Sequence, residues 1–214
     1  MNQIRTITKI INGISASDGD GVQLKRIIGS PYLEMLDPFL LFDAFGSDKP
    51  QDYNGGFPSH PHRGFETVTY MLEGKMRHKD SAGNEDVINS GGIQWMTAGR
   101  GIIHSEMPEQ EQGLLAGFQL WVNLPASHKM IEPRYQENSQ SEIPSETRGA
   151  NSSNIISLKV IAGTTIKGTH GVIKNDFVDP IYWDIKSAEN TVFEDVIPPM
   201  HNAFIYTIEG KKYS

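Results

Sequence analysis

Short runs of Val, Ile, Thr, Tyr and Phe recur along this chain, each closed within a few residues by Gly, Pro, Asn or Asp. Residues 66–72 (Glu-Thr-Val-Thr-Tyr-Met-Leu) predict a strand that ends at Glu73-Gly74, and residues 75–78 resume the pattern. Ser81-Ala-Gly-Asn84 predicts a turn, Asn89-Ser-Gly-Gly92 leads into a strand over 93–97, and residues 117–123 predict one more. Many short strands separated by turn residues predict an all-β sandwich or barrel. Side chains two apart on a strand share a face. If one strand phase runs unbroken from His60, then His62, Gly64, Glu66, Val68, Tyr70 and Leu72 point inward, while Arg63, Thr67, Thr69 and Glu73 point out. That is an apolar-in, polar-out division. Phe118, Leu120 and Val122 share one face of the later strand.

The pattern stops at 136–154, a polar stretch almost free of large apolar residues, which predicts a linker or long surface loop. It resumes over 155–162. The later segment His201-Asn-Ala-Phe-Ile-Tyr-Thr-Ile-Glu-Gly echoes His62-Arg-Gly-Phe-Glu-Thr-Val-Thr-Tyr-Met-Leu-Glu-Gly, with three residues fewer between His and Glu-Gly. Internal similarity of this kind suggests a duplicated unit. The expected organisation is a first barrel over 1–135, a linker over 136–154 and a second barrel over 155–214, incomplete and without a metal site. The first copy needs several more strands after its Glu-Gly, and the second copy has only four residues left.

With 214 residues and a net charge of −7, the chain is an ordinary acidic globular protein. The longest run of basic residues is Lys211-Lys212, so no basic patch marks direct nucleic-acid binding. No window approaches membrane-spanning length, and the first eleven residues hold no long apolar segment, which leads us to expect a cytoplasmic protein without a membrane partner. Cysteine is absent. Disulfides, thiolate metal sites and Cys nucleophiles are therefore excluded, and any metal must rest on His and carboxylates.

Two short pairs supply such ligands: His60-Pro61-His62 and His104-Ser105-Glu106. Each has i, i+2 spacing and so presents both side chains on one strand face. Only seven His occur in the chain, and three fall in these pairs. Three imidazoles and a carboxylate suit a divalent transition metal with positions left open for substrate or oxygen. Glu66, inward by the same phase, is an alternative carboxylate. His78, between Arg77 and Lys79, reads as a solvated strand residue, and His128 and His170 lack partners at ligand spacing.

The segment Gly56-Phe-Pro-Ser-His-Pro-His-Arg-Gly-Phe-Glu-Thr-Val-Thr-Tyr-Met-Leu-Glu-Gly74 resembles the first cupin motif, and Gly99-Arg-Gly-Ile-Ile-His104 loosely resembles the second, with Gly99 where cupins usually have Pro. The longer strings are similar to the pirin family: His-Pro-His-Arg-Gly-Phe-Glu-Thr-Val-Thr-Tyr, Thr-Ala-Gly-Arg-Gly-Ile-Ile-His-Ser-Glu-Met, Asp37-Pro-Phe-Leu-Leu-Phe-Asp43 and Gly117-Phe-Gln-Leu-Trp-Val-Asn-Leu-Pro125. The resemblance covers essentially the whole chain. It implies a cupin (double-stranded β-helix, jelly-roll) barrel followed by a second cupin barrel, here cut short. It also implies one metal in the first barrel, held by His60, His62, His104 and Glu106, with Glu66 left to a supporting role. Iron(II) is the expected ion, with Ni, Cu, Mn, Co or Zn as alternatives.

What the resemblance implies about activity is a quercetinase-type dioxygenase, which opens the central ring of a flavonol with O2 and releases carbon monoxide. Glu106 would act as general base, and Phe57, Phe65, Met107 and Phe118 are expected to line the pocket. The other reading is a non-enzymatic, iron-dependent and redox-responsive protein that binds a transcription factor or metabolic enzyme, with Arg63 and Arg100 nearest the metal in sequence.

Overall fold

The computed structural model describes residues 4–149 and 154–210. Its strands are β1 Ile14–Asp18, β2 Val22–Ile28, β3 Phe39–Ser47, β4 Phe57–His62, β5 Phe65–Glu73, β6 Lys75–Asp80 and β7 Glu85–Asn89. They continue as β8 Ile93–Thr97, β9 Ile102–Pro108, β10 Leu115–Asn123, β11 Arg134–Asn138, β12 Ser145–Arg148, β13 Ile156–Ala162 and β14 Tyr182–Ser187. No described helix is long and apolar enough to cross a membrane.

A seven-stranded antiparallel sheet runs β1-β2-β3-β10-β5-β8-β11, and a four-stranded sheet runs β4-β9-β6-β7. Together they enclose the first barrel, an all-β architecture of cupin type. Leu24, Phe45 and Met71 of the large sheet pack there against Met76 and Ile88 of the small one. The opposite face of the large sheet is buried as well. Ile28, Phe42, Val68, Tyr70, Trp95, Phe118, Leu120 and Val122 pack against Ile143, Ile161, Ala162 and Ile173 of the following lobe, whose three-stranded sheet runs β12-β13-β14. A sheet covered on both faces needs no polar side. That is why β5 is buried from Glu66 through Met71.

The expected phase of β5 is reversed. β4 belongs to the small sheet and β5 to the large one, with a corner at Gly64 between them (φ +80°). The pleat does not run through that corner, so the inward parity of His60 and His62 does not carry to Val68 and Tyr70. Thr67, Thr69 and Met71 face the barrel interior instead. In register beside Thr69 stand Gln119 and Gln94, and Asp43 lies beyond Gln119. The barrel thus holds a polar row at the level of the imidazoles and an apolar row above it. Phe118, expected to line the pocket, lies on the far face, its ring 5.3 Å from those of Phe42 and Tyr206.

Nor is 136–154 a plain linker. Its first residues complete β11, hydrogen-bonded to β8, Ile143 is buried in the inter-lobe core, and Ser145–Arg148 forms β12. Residues 150–153 lie outside the described part, as do 211–214 at the end of the expected second barrel. Beyond β14 the described chain adds no strand, although exposure alternates over 191–197 and again over 203–207. Phe204 and Tyr206, both partly buried, pack there on Phe42. What is missing is a neighbouring described strand to hydrogen-bond.

Phe118→Ala should cost about 3–5 kcal/mol in urea unfolding, because it opens a cavity between the lobes. Since that ring points away from the imidazoles, the variant should bind metal as the parent chain does, measured by elemental analysis of the folded protein.

Candidate metal centre

β4 and β9 pair antiparallel with His60 opposite His104, and their i, i+2 partners His62 and Glu106 sit on the same barrel-facing side. His62, His104 and Glu106 are almost fully buried, and His60 is half-buried at the mouth. The Nε2 atoms converge: His60 to His62 is 2.9 Å, and His60 to His104 is 3.0 Å. Among the described residues this is the one group of three potential ligands whose donor atoms all fall within 4.8 Å of one another.

The donor set fits a cation. The Pro58 carbonyl, which can only accept, lies 2.7 Å from His60 Nδ1, so that nitrogen carries the proton. With a proton on Nδ1 alone, His60 turns a bare Nε2 lone pair toward two further Nε2 atoms at hydrogen-bond distance. One lone pair serves one N–H donor well. A second nitrogen at the same range is better satisfied by a shared ion, and ligands about 2.1 Å from an ion stand about 3 Å apart at right angles. Burial, helped by the neighbouring imidazoles, also pulls His62 and His104 down to about 3, which keeps them neutral and able to ligate.

Glu106 stands beside the three imidazoles rather than within their 4.8 Å group. Its Oε1 accepts from the Thr69 hydroxyl at 2.6 Å and its Oε2 from the Gln119 amide at 2.9 Å. The barrel-facing polar row thereby fixes the carboxylate. Glu66, by contrast, is turned to the other face of the sheet. Its oxygens accept from Thr97 Oγ1 at 2.7 Å and Asn175 Nδ2 at 2.6 Å, so it braces the lobes and neither ligates nor supports an imidazole.

His78 is not solvated. It is 1% exposed, and its Nε2 lies 3.0 Å from His104 Nδ1. The signal was present in the alternation of Met76-Arg-His-Lys-Asp80: charged neighbours on a strand point away from the residue between them, and Met76, His78 and Asp80 are all buried. Thr69 and Gln119 escaped notice because the reversed phase placed Thr69 outside. His128 rests against the Phe177 ring, and His170 bonds Thr164, both away from the centre. Arg100 pairs with Glu132 on the surface, away from the cluster, whereas Arg63, whose guanidinium contacts Met130, is among the residues lining the cavity beside His60 and His62.

A cavity of about 660 Å³ opens over His60 and His62, with His104 buried behind them. Leu24, Leu41, Phe45, Phe57, Phe65 and Trp121 give it apolar walls, and Asp18, Asp43, Glu106 and Gln119 supply its polar points. Phe57 and Phe65 stand where expected, while Met107 and Phe118 are not among the lining residues. Trp121 and Phe65 pack against each other, with centroids 4.8 Å apart, and each ring centroid lies 5.2 Å from that of His62. Arg26 bridges Asp43 and Asp18 on the wall, at 2.7 and 2.6 Å.

The depressed His62 and His104 make the metal-free fold sensitive to acid. Between about pH 6.5 and 3 the unfolded chain binds protons there that the folded one refuses, so stability is complete above 6.5 and declines toward 3. Urea midpoints of chelator-treated protein should fall from pH 7.5 to pH 5, and His62→Phe should flatten that fall.

Comparison with known proteins agrees with this geometry. The sequence profile of the Pirin family matches residues 21–122. A pirin-like protein of Caulobacter vibrioides is 54% identical over 208 residues, spanning 97% of this chain and 74% of its own. Human pirin is 42% identical over 214 residues, spanning 100% of this chain and 70% of its own. A solved quercetin 2,3-dioxygenase from Acinetobacter baumannii superposes with a TM-score of 0.67 at 36% identity, over 77% of this chain and 58% of that one. The chain thus spans about three quarters of these relatives' length and less than two thirds of the solved enzyme's. Identity at this level along almost the whole sequence, on a two-sheet barrel with its histidines gathered on paired strands, places the chain in the pirin family.

Proposed function

We propose that the first barrel holds one divalent transition metal on His60, His62, His104 and Glu106, and that it acts as a quercetinase-type dioxygenase on a flavonol-like substrate. The observation that carries the reading is the convergence of three imidazoles, two of which line a cavity of about 660 Å³ with aromatic walls. That volume lies in the range of small-molecule sites, and flat apolar walls with a few polar points suit a planar phenolic ligand. Similarity to the Acinetobacter dioxygenase supports the reaction class. Iron(II) is the ion we favour, given an N/O donor set with room for exogenous ligands.

When bound, the metal supplies Lewis acidity, which lowers the pKa of a substrate hydroxyl beside it. The chain's residues do the remainder. Phe65 and Trp121, packed on each other beside His62, form an aromatic wall that keeps bulk water from the reacting ring. Glu106, held by Thr69 and Gln119, is the acceptor for the hydroxyl proton. Asp18 and Asp43, fixed by Arg26, offer acceptors for phenolic hydroxyls further from the centre. The overall reaction takes up one O2 and releases one CO, leaving the two halves of the flavonol joined as an ester.

Metal-loaded protein should bleach flavonol absorbance in air and not under nitrogen. His62→Ala should abolish both the bleaching and the metal stoichiometry. Loss of absorbance with none of iron, nickel, copper, manganese or cobalt would remove the dioxygenase reading.

Glu106→Gln tests the proton-accepting role of this ligand. It keeps the contact to Thr69 but cannot take a proton, so turnover should fall about 100-fold or more. Metal content should fall much less than in His62→Ala, as read by elemental analysis.

A further inference from the structure

His78 plays no part in the reading above, yet it is a wholly buried imidazole against a proposed ligand. On β6 it stands opposite Glu106 of β9 on one side and Asp86 of β7 on the other. Its ring packs on Tyr135, with centroids 5.0 Å apart, and the neighbouring barrel-facing residue Asp80 is locked by the amides of Ala82 and Asn84. The ring is therefore held in place by strand and turn. Beyond it lies a second, polar cavity of about 400 Å³ that Gln94, Tyr135 and Glu137 share, on a side of the barrel away from the aromatic pocket.

We propose that His78 is a positioning residue for the metal centre: its Nε2 accepts the Nδ1–H of His104, which fixes that ring's orientation and leaves its Nε2 lone pair facing His60 and His62. The inference rests on the metal reading above. Its geometric basis is the 3.0 Å contact between His78 Nε2 and His104 Nδ1, set in line with the 3.0 Å approach of His104 Nε2 to His60. The proton can sit between the two rings in only one way if His104 is to ligate. His104 must carry it on Nδ1, so His78 must present a bare Nε2 and keep its own proton on Nδ1. The Pro58 carbonyl plays the same part for His60. A backbone carbonyl and a second imidazole thus hold two of the three rings in the tautomer that ligation needs, and loss of such a partner weakens metal binding about 10–100-fold.

His78→Phe keeps the ring and removes the acceptor, whereas His78→Gln keeps an acceptor near the Nε2 position. Zinc titration against a competing chelator should show binding weakened 10–100-fold in His78→Phe and within about threefold of the parent chain in His78→Gln. In zinc-loaded parent protein, long-range proton–nitrogen spectra should show His104 protonated on Nδ1 and His78 on Nδ1. The reverse tautomer at His78 overturns the proposal without any variant being needed. Equal zinc affinity in folded His78→Phe, checked by circular dichroism, overturns it as well. If the parent chain takes up no zinc, the metal reading itself fails, and the two failures are told apart.

Discussion

The antiparallel pairing of β4 with β9 is the constraint on which the site depends. It sets His60 directly across from His104. Because side chains alternate on a strand, it also delivers His62 and Glu106 to the same interior. No loop has to find a conformation for these groups to meet. A one-residue slip of this pairing would turn His104 and Glu106 outward and bring Ile103 and Ser105 in, so register and chemistry are a single fact here.

Burying a carboxylate and several imidazoles in one barrel costs desolvation, and the polar row of the large sheet answers that cost. Thr69 and Gln119 occupy both oxygens of Glu106, and Pro58 and His78 occupy the outer nitrogens of His60 and His104. A buried group with a fixed partner is cheaper than one without, and it is also better aimed. The inner Nε2 atoms are the part of the network that protein groups alone leave crowded, which is where an ion belongs.

Much of this was legible in the sequence. The strands over 66–72, 93–97 and 117–123 appear within two residues of the expected bounds, and the two i, i+2 pairs led directly to the imidazole cluster. The phase of β5 was not legible, because apolar-in, polar-out alternation presumes one wet face. Val68 and Tyr70 do face a core, but it is the core between the lobes, and the barrel interior receives Thr67 and Thr69. The same presumption hid His78, whose charged neighbours suggested solvent, and it pointed Glu66 at the wrong side. Nor could composition show that the polar stretch after residue 135 would enter two sheets, since partner strands rather than its own residues fix its place.

The large sheet divides stability from chemistry between its faces. Toward the second lobe it presents aromatic and aliphatic groups, closed by two polar clasps: Tyr70 Oη donates to Asp184 at 2.7 Å, and Asn175 donates to Glu66. Toward the barrel it presents the hydroxyl and amide groups that hold Glu106. Neighbouring residues such as Thr69 and Tyr70 therefore serve opposite ends, and a substitution at either is felt mainly on its own side. The second lobe also has a reason to exist apart from any chemistry of its own. Without it, one whole face of the sheet that carries Thr69 and Gln119 would be apolar and wet, and the backbone that positions Glu106 would lose the packing that keeps it still.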